Sequence, residues 1–518
     1  MPGTVDRRRF LRHALAWPLG LQALQWSAPS RAATGSDYRA LVCVFLLGGN
    51  DAYNTVLATD SDSWLHYQNH RNPASRVNGS DTTSIALLAP GVAALPDSTD
   101  PLARLGGALP IAHSGAAHVG RSFALHPSLQ QVASLYQAGR AAVVANVGPL
   151  LAPTTKGDWL NAAVRKPGKL FSHIDQTCTW QNLSTDGQAK GWGGLMADLL
   201  MPPGAAGDAA QAWRTMACMS PTQDALWLNG QQVLPYYSSA SEVLTLGAQQ
   251  PLMGNLELHE AVRSIMQGDD NEAHLLRQAY QQAARQGLSA SDRLAPLLPA
   301  QLEGPWGTPG SGSHWNDPLL QYSSAAGGSG MNELALQLQM VARLIEANRQ
   351  SGLGVNRQMF FVTLGGFDTH DKQTVQHAQR LAQLDHALGY FDQVLGAMPG
   401  GDMRNQVTTF TASDFGRSFT SNGDGTDHGW GGHHIVMGGA VRGGEVYGRF
   451  PVYDTAAADG SFDSPDQIHN GILLPSTSVA QYAATLGAWM GVSDSGLNAV
   501  LPPLSGFPAD VRQLGFMG

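Results

Sequence analysis

Phe360-Phe361-Val362-Thr363-Leu364 runs straight into Gly365-Gly366-Phe367-Asp368-Thr369-His370, and Val407-Thr408-Thr409-Phe410-Thr411 runs in the same way into Ala412-Ser413-Asp414-Phe415-Gly416-Arg417. Thr426-Asp427-His428-Gly429-Trp430-Gly431-Gly432-His433-His434 follows closely. A short apolar run that stops at a small residue and then presents a carboxylate or an imidazole is how α/β proteins place functional groups at the carboxyl ends of parallel strands. These stretches predict an α/β fold with a site near residues 361–434.

The rest of the chain extends the same cadence. Ala40 to Leu47 reads as a buried strand followed by a turn at Gly48-Gly49-Asn50-Asp51. His126 to Gly139 reads as a helix and Ala141 to Val147 as the next strand, which predicts βαβ units and a mostly parallel sheet with helices on its faces. Residues 200–330 break the rhythm with Gly, Pro, Ala, Gln and Ser, with polar helical stretches such as Asp270 to Gln286, and are expected to form a helical and loop insertion or cap. Asn332 to Asn348 has helical apolar periodicity, and Pro475 to Val492 reads as a closing packed helix.

The first 33 residues stand apart. Asp6-Arg7-Arg8-Arg9-Phe10-Leu11-Arg12, an apolar stretch from Ala14 to Trp26 and small residues at Ala28 to Ala33 match a twin-arginine export signal, and the apolar stretch is too short to span a bilayer. The expected mature domain is 34–518, delivered to the periplasm or secreted. Removing five Arg and one Asp with the signal takes the formal charge from −9 to −13. Such an acidic chain is unsuited to nucleic acid or acidic membrane surfaces, because phosphate contacts need clustered cations. A composition of 43% hydrophobic and 14% charged residues supports a large core.

Three cysteines, Cys43, Cys178 and Cys218, exclude a disulfide framework and a thiolate zinc site. Cys178 and Cys218 could pair in an oxidising compartment. A metal site would therefore use oxygen and nitrogen ligands, which suits zinc, manganese, magnesium or calcium. Asp51, Asp368, His370, Asp414, Asp427, His428, His433 and His434 are the candidates. Asp51, Asp368 and Asp414 each also fit a turn former or a helix N-cap, and Asn422-Gly423-Asp424-Gly425 reads as a tight turn.

Leu47 to Asn54, Leu125-His126-Pro127, Ser172-His173-Ile174-Asp175-Gln176, Gly365 to Gln373, Ser413 to Arg417, Thr426 to Gly429, and Pro475 to Tyr482 with Trp489 together resemble family 1501 of the domains of unknown function. These are twin-arginine-exported bacterial proteins allied to the alkaline phosphatase and sulfatase superfamily. The resemblance implies an alkaline phosphatase-like sheet and one or two divalent metal ions. It makes Asp51 the first ligand, Asp368 and His370 a ligand pair, Asp414 the later carboxylate and His428 the terminal imidazole. Ser172 is the candidate nucleophile, activated by metal, and fits a helix N-cap equally well. Arg417 either binds a substrate anion through its planar fork or partners a carboxylate.

The chain departs from the superfamily at Phe415, where a His often follows the carboxylate, which leaves one metal position to Asp427, His433 or His434. No Cys-x-Pro-x-Arg signature surrounds any cysteine, which argues against a formylglycine sulfatase. The expectation is an exported metal-dependent hydrolase of small anionic phosphate or sulfate esters. The alternative is a non-hydrolytic exported protein of the same fold that holds a metal or another ligand.

Overall fold

A computed structural model describes residues 37–72, 84–183, 189–222, 225–243, 254–268 and 274–518. The export signal expected at residues 1–33 lies outside the described residues. The central nine-stranded sheet comprises β1 (Arg39–Leu47), β2 (Ala141–Gly148), β3 (Cys218–Ser220), β4 (Tyr236–Tyr237), β5 (Arg357–Gly365), β6 (Val407–Ser413), β7 (Gly432–Met437), β8 (Val446–Tyr447) and β9 (Thr477–Ser478). Its order is β8-β2-β7-β6-β1-β5-β3-β4, with β9 also paired to β2. β7 is antiparallel to both its neighbours, β6 and β2, and the other pairings are parallel. The sheet is thus mixed and mostly parallel, flanked by helices.

β1 sits in the middle because its sequence tolerates nowhere else. Its residues Ala40 to Leu46 are all buried, and only the ends are partly exposed. A strand without a polar face must be covered on both sides and paired on both edges. β5 pairs along one edge of β1 and β6 along the other, so the chain switches sides at β1. The helix Gln373–Gly396, here α3, carries it from β5 to β6.

Two further helices match their sequence signals closely. α2 (Glu333–Ser351) is capped by Asn332, whose side chain accepts from the amides of Leu334 and Ala335, and it ends at the left-handed Gly352. α4 (Val479–Met490) opens on a capping box between Ser478 and Gln481 and ends at Gly491. Pro475 to Ser478 falls outside that helix, because Thr477 and Ser478 pair with β2 as β9 instead. The helix expected at 126–139 is confined to Gln130–Gln137.

The stretch at about 200–330 is partly built into the sheet. β3 and β4 extend its edge, while the helix Leu275–Leu294 packs on α2 and on the helix Gly207–Met216. Cys43 and Cys218 lie buried in β1 and β3, Cys178 is exposed, and all three are free, so the pairing of Cys178 with Cys218 is not formed. No helix among the described residues is long and apolar enough to cross a membrane.

Alternation along β7 sends His433 and His434 to opposite faces of the sheet, where both are buried. His433 stacks on Phe450 and His434 on Tyr482. Burial pushes both imidazoles down to about 3, and it pushes His377 down to about 4. A folded pKa below the unfolded one means that the unfolded chain takes up the proton first, so stability present above pH 6.5 is lost as the pH falls towards the folded values. Asp385, raised to about 6 by burial, gives a smaller slope of the opposite sign. Urea unfolding should lose about 1.4 kcal/mol per pH unit for each such His between pH 6 and 4. His434→Phe should reduce that slope by one His equivalent, and an unchanged slope would contradict the assignment.

Candidate metal centre at the carboxyl ends of the central strands

The register of the three middle strands fixes the height of the site. Leu47 of β1 lies opposite Gly365 of β5, and Leu46 lies opposite Ser413 of β6, so the three strands end level. The segments that leave them, Gly48 to Asp51, Gly366 to His370 and Asp414 to Arg417, meet above the sheet at its switch point. Gly48 and Gly49 have φ of +115° and +83°. A Cβ on Gly48 would run into the backbone of Phe367 and Asp368, and one on Gly49 into the Phe415 ring. The bare turn turns both amides towards Asp414, whose Oδ1 accepts from Gly48 N at 3.0 Å and Gly49 N at 3.1 Å.

Asp414 uses its other oxygen to hold an imidazole that the sequence reading passed over. His173, the first residue of α1 (His173–Asn182), places Nδ1 2.6 Å from Asp414 Oδ2. With a carboxylate oxygen accepting there, Nδ1 carries the proton and Nε2 points away from it. His428 is fixed similarly, with Nδ1 2.8 Å from the Phe171 carbonyl. Phe171 itself has φ +71°, a left-handed conformation costly for a bulky residue. His370 has Nδ1 facing Asp427 Oδ1 at 3.5 Å.

The three Nε2 atoms turn to a common place. His173 Nε2 and His370 Nε2 each lie 3.1 Å from His428 Nε2. Asp368 Oδ1 lies 3.0 Å from His370 Nε2 and 3.3 Å from His428 Nε2, and its Oδ2 lies 3.4 Å from His173 Nε2. His173, Asp368 and His428 each offer a donor atom within 4.8 Å of the other two, and His370 flanks them on the open side. Donor atoms around a tetrahedral ion at zinc bond lengths would be separated by about 3.3 Å. The donor spacing therefore fits a small divalent cation.

Charge reinforces that fit. Burial lowers the pKa of His428, and the nearby Arg417 and His173 add to the effect. With Nδ1–H committed to the Phe171 carbonyl, the neutral ring presents only a lone pair at Nε2. That lone pair faces two more imidazole nitrogens and a carboxylate, an arrangement that calls for a cation at its centre. Burial pushes the Asp368 carboxyl up, but the hydrogen bond and charge of Arg417 outweigh it and hold the group below its usual range. The hydrogen bond that His173 donates to Asp414 raises its pKa against the opposing effect of burial. A carboxylate or carbonyl behind each ligating imidazole is the usual outer shell of a metal centre.

Several other candidates are placed elsewhere. Asp51 is fully buried, paired with Arg71 through Oδ2 at 2.6 Å and Oδ1 at 3.0 Å. It also accepts from Gln373 Nε2 at 2.6 Å and caps the short helix Ala52–Thr55 through Tyr53 N. Its oxygens are taken, so the structure makes it a structural anchor and N-cap. Ser172 is the N-cap residue of α1 and donates its hydroxyl to Asp175 Oδ2 at 2.7 Å, while the residue after it enters the site. Arg417 is buried and donates to Asp368 Oδ1 at 2.7 Å, to the Gly48 carbonyl and to Thr426. It partners a carboxylate rather than offering a free fork to an anion. Asp414 and Asp427 stand behind imidazoles rather than among the converging donor atoms. His433 and His434 belong to the sheet interior, and Phe415 packs its ring 4.7 Å from both His173 and His428.

The fold and the cluster define an α/β protein with a candidate histidine and carboxylate metal centre at the switch point of its sheet. The family described as Protein of unknown function (DUF1501) matches residues 38–501, and the chain belongs to it. A comparison with curated proteins finds no match.

Metal analysis after dialysis should separate the roles. Asp368→Asn and His428→Ala should lose the bound divalent ion. Asp51→Asn should keep it in the folded fraction while losing about 3–5 kcal/mol of stability, because Arg71 is left as an uncompensated buried charge. Loss of metal from a stable Asp51→Asn protein would return Asp51 to the ligand set.

Proposed function

We propose that this chain is an exported metal-dependent hydrolase of phosphate or sulfate esters, with one divalent ion held by His173, Asp368 and His428 and flanked by His370. The observation that carries the reading is the convergence of Nε2 atoms whose opposite ring nitrogens are anchored at Asp414 and the Phe171 carbonyl. A set rich in imidazole favours zinc or manganese over magnesium or calcium. The likeness in motif order to the alkaline phosphatase superfamily supports an anionic ester as substrate, and the twin-arginine pattern at Asp6 to Arg12 supports delivery beyond the cytoplasm.

Bound there, the ion would supply a Lewis acid that polarises the ester and lowers the pKa of a water. The residues supply the rest. Arg417 fixes Asp368, Asp414 fixes the tautomer of His173, and Phe415 walls the site against bulk water on one side. His370, with a side chain 44% exposed, stands where substrate approaches and is the base that takes a proton from the attacking water. The water oxygen bonds to phosphorus or sulfur, the ester bond breaks, and His370 returns the proton to the leaving oxygen. Ser172 takes no part, since its hydroxyl is engaged with Asp175.

The same engagement of Ser172 and Arg417 favours the second reading, a non-hydrolytic protein that holds a metal or a ligand. Turnover of 4-nitrophenyl phosphate and sulfate by the metal-replete mature chain decides between them. Ser172→Ala should keep turnover, His370→Ala should lower it by about 10²–10⁴-fold, and a chelator should abolish it. If the metal-replete protein cleaves neither ester, the hydrolase reading fails and the binding reading stands.

A further inference from the structure

Next to the donor cluster lies an open cavity of about 480 Å³, within the roughly 300–1,000 Å³ of small-molecule sites. His173, Asp368, Asp414 and Gly48 form its inner end, and Leu47, Ile174, Thr177 and Cys178 line the remainder. Residues 173, 174, 177 and 178 share one face of α1, because positions four apart on a helix stack above one another. Among the described residues lining the cavity there is no Lys, Arg, Asn or Gln. Ile174 is 80% exposed, although α1 has a buried side that could have taken an apolar residue.

We propose that this cavity receives the alcohol side of the substrate and that this side is apolar, an alkyl or aryl group rather than a sugar or a nucleoside. The inference rests on the ester-hydrolase reading. Beyond the cluster and Asp414 the lining offers a hydroxyl-rich group the Thr177 hydroxyl and the weakly bonding Cys178 thiol, so most of its polar atoms would lose water without a partner, a penalty that an alkyl or aryl group avoids. Burial of Ile174, Leu47 and the Cys178 side chain against such a group supplies the binding free energy. The anionic end is left to the metal centre, since Arg417 is already committed to Asp368.

Phosphonates, which cannot be hydrolysed, test this without reference to turnover. The zinc-loaded mature chain is titrated calorimetrically with methyl-, butyl-, hexyl- and phenylphosphonate. Affinity should rise about fourfold per fully buried added methylene until the cavity is filled. Cys178 is the one exposed thiol, Cys43 and Cys218 being buried, and hexylphosphonate should slow its alkylation by iodoacetamide where methylphosphonate does not. Ile174→Asn, at an exposed position that leaves the fold intact, should lower the hexyl-to-methyl affinity ratio. Equal affinity for methyl- and hexylphosphonate overturns the apolar subsite while leaving the hydrolase reading in place. Failure of the zinc-loaded protein to bind any phosphonate overturns both.

Discussion

The carboxylate of Asp414 is the joint on which the site depends. It follows β6 directly, accepts from both amides of the Gly48-Gly49 turn that ends β1, and grips the imidazole that opens α1. Glycine is the costliest residue to order, and fixing a backbone residue costs about 1–2 kcal/mol. Hydrogen bonds to a charged group return about 1.5–3 kcal/mol each, so three of them more than offset the two ordered glycines. The same bonds determine where Asp368 sits, because its backbone packs against Gly48 too closely for any side chain there.

A second layer supports the first from below. Arg71 and Asp51 form a fully buried ion pair, with Arg71 lying over the rings of Tyr53, Tyr67 and Phe419. Gln373 donates to Asp51 and accepts from Thr426, and Thr426 in turn accepts from Arg417. Arg417 then holds Asp368. A line of satisfied polar contacts thus connects the core to the donor cluster, and it gives the residues around Asp51 an architectural role close to the site.

The architecture was legible where local pattern and chemistry agreed. Continuous apolar runs ending at Gly or Ser marked β1, β5 and β6, and their carboxyl ends led to Asp368, His370 and Asp414. His428, read from its Gly-rich surroundings, lies in the same cluster of side chains. The structure places a residue away from the cluster where the deciding contact lies far along the chain. Asp51 looks like a ligand until Arg71, from the helix Ser61–Arg71, arrives to neutralise it. Ser172 drew attention as a hydroxyl, yet the helix it caps begins with the imidazole that enters the cluster; the Ser-His-Ile-Asp-Gln motif contained that signal. His433 and His434 follow His428 so closely that a shared site seemed natural, but the period of two in β7 buries one on each face of the sheet.

The central place of β1 has a consequence for how the chain is made. Arg39 pairs with Arg357 and Ala40 with Val407, both more than 300 positions away. At a synthesis rate of about 5–20 residues per second, the most apolar strand of the protein waits roughly 20–70 s for its second partner to leave the ribosome. Non-local pairing of this kind is slow and leaves unpaired edges open to aggregation. The sheet that carries the candidate site therefore stays incomplete until late in synthesis, and whatever shields residues 39–47 during that interval governs the yield of folded protein.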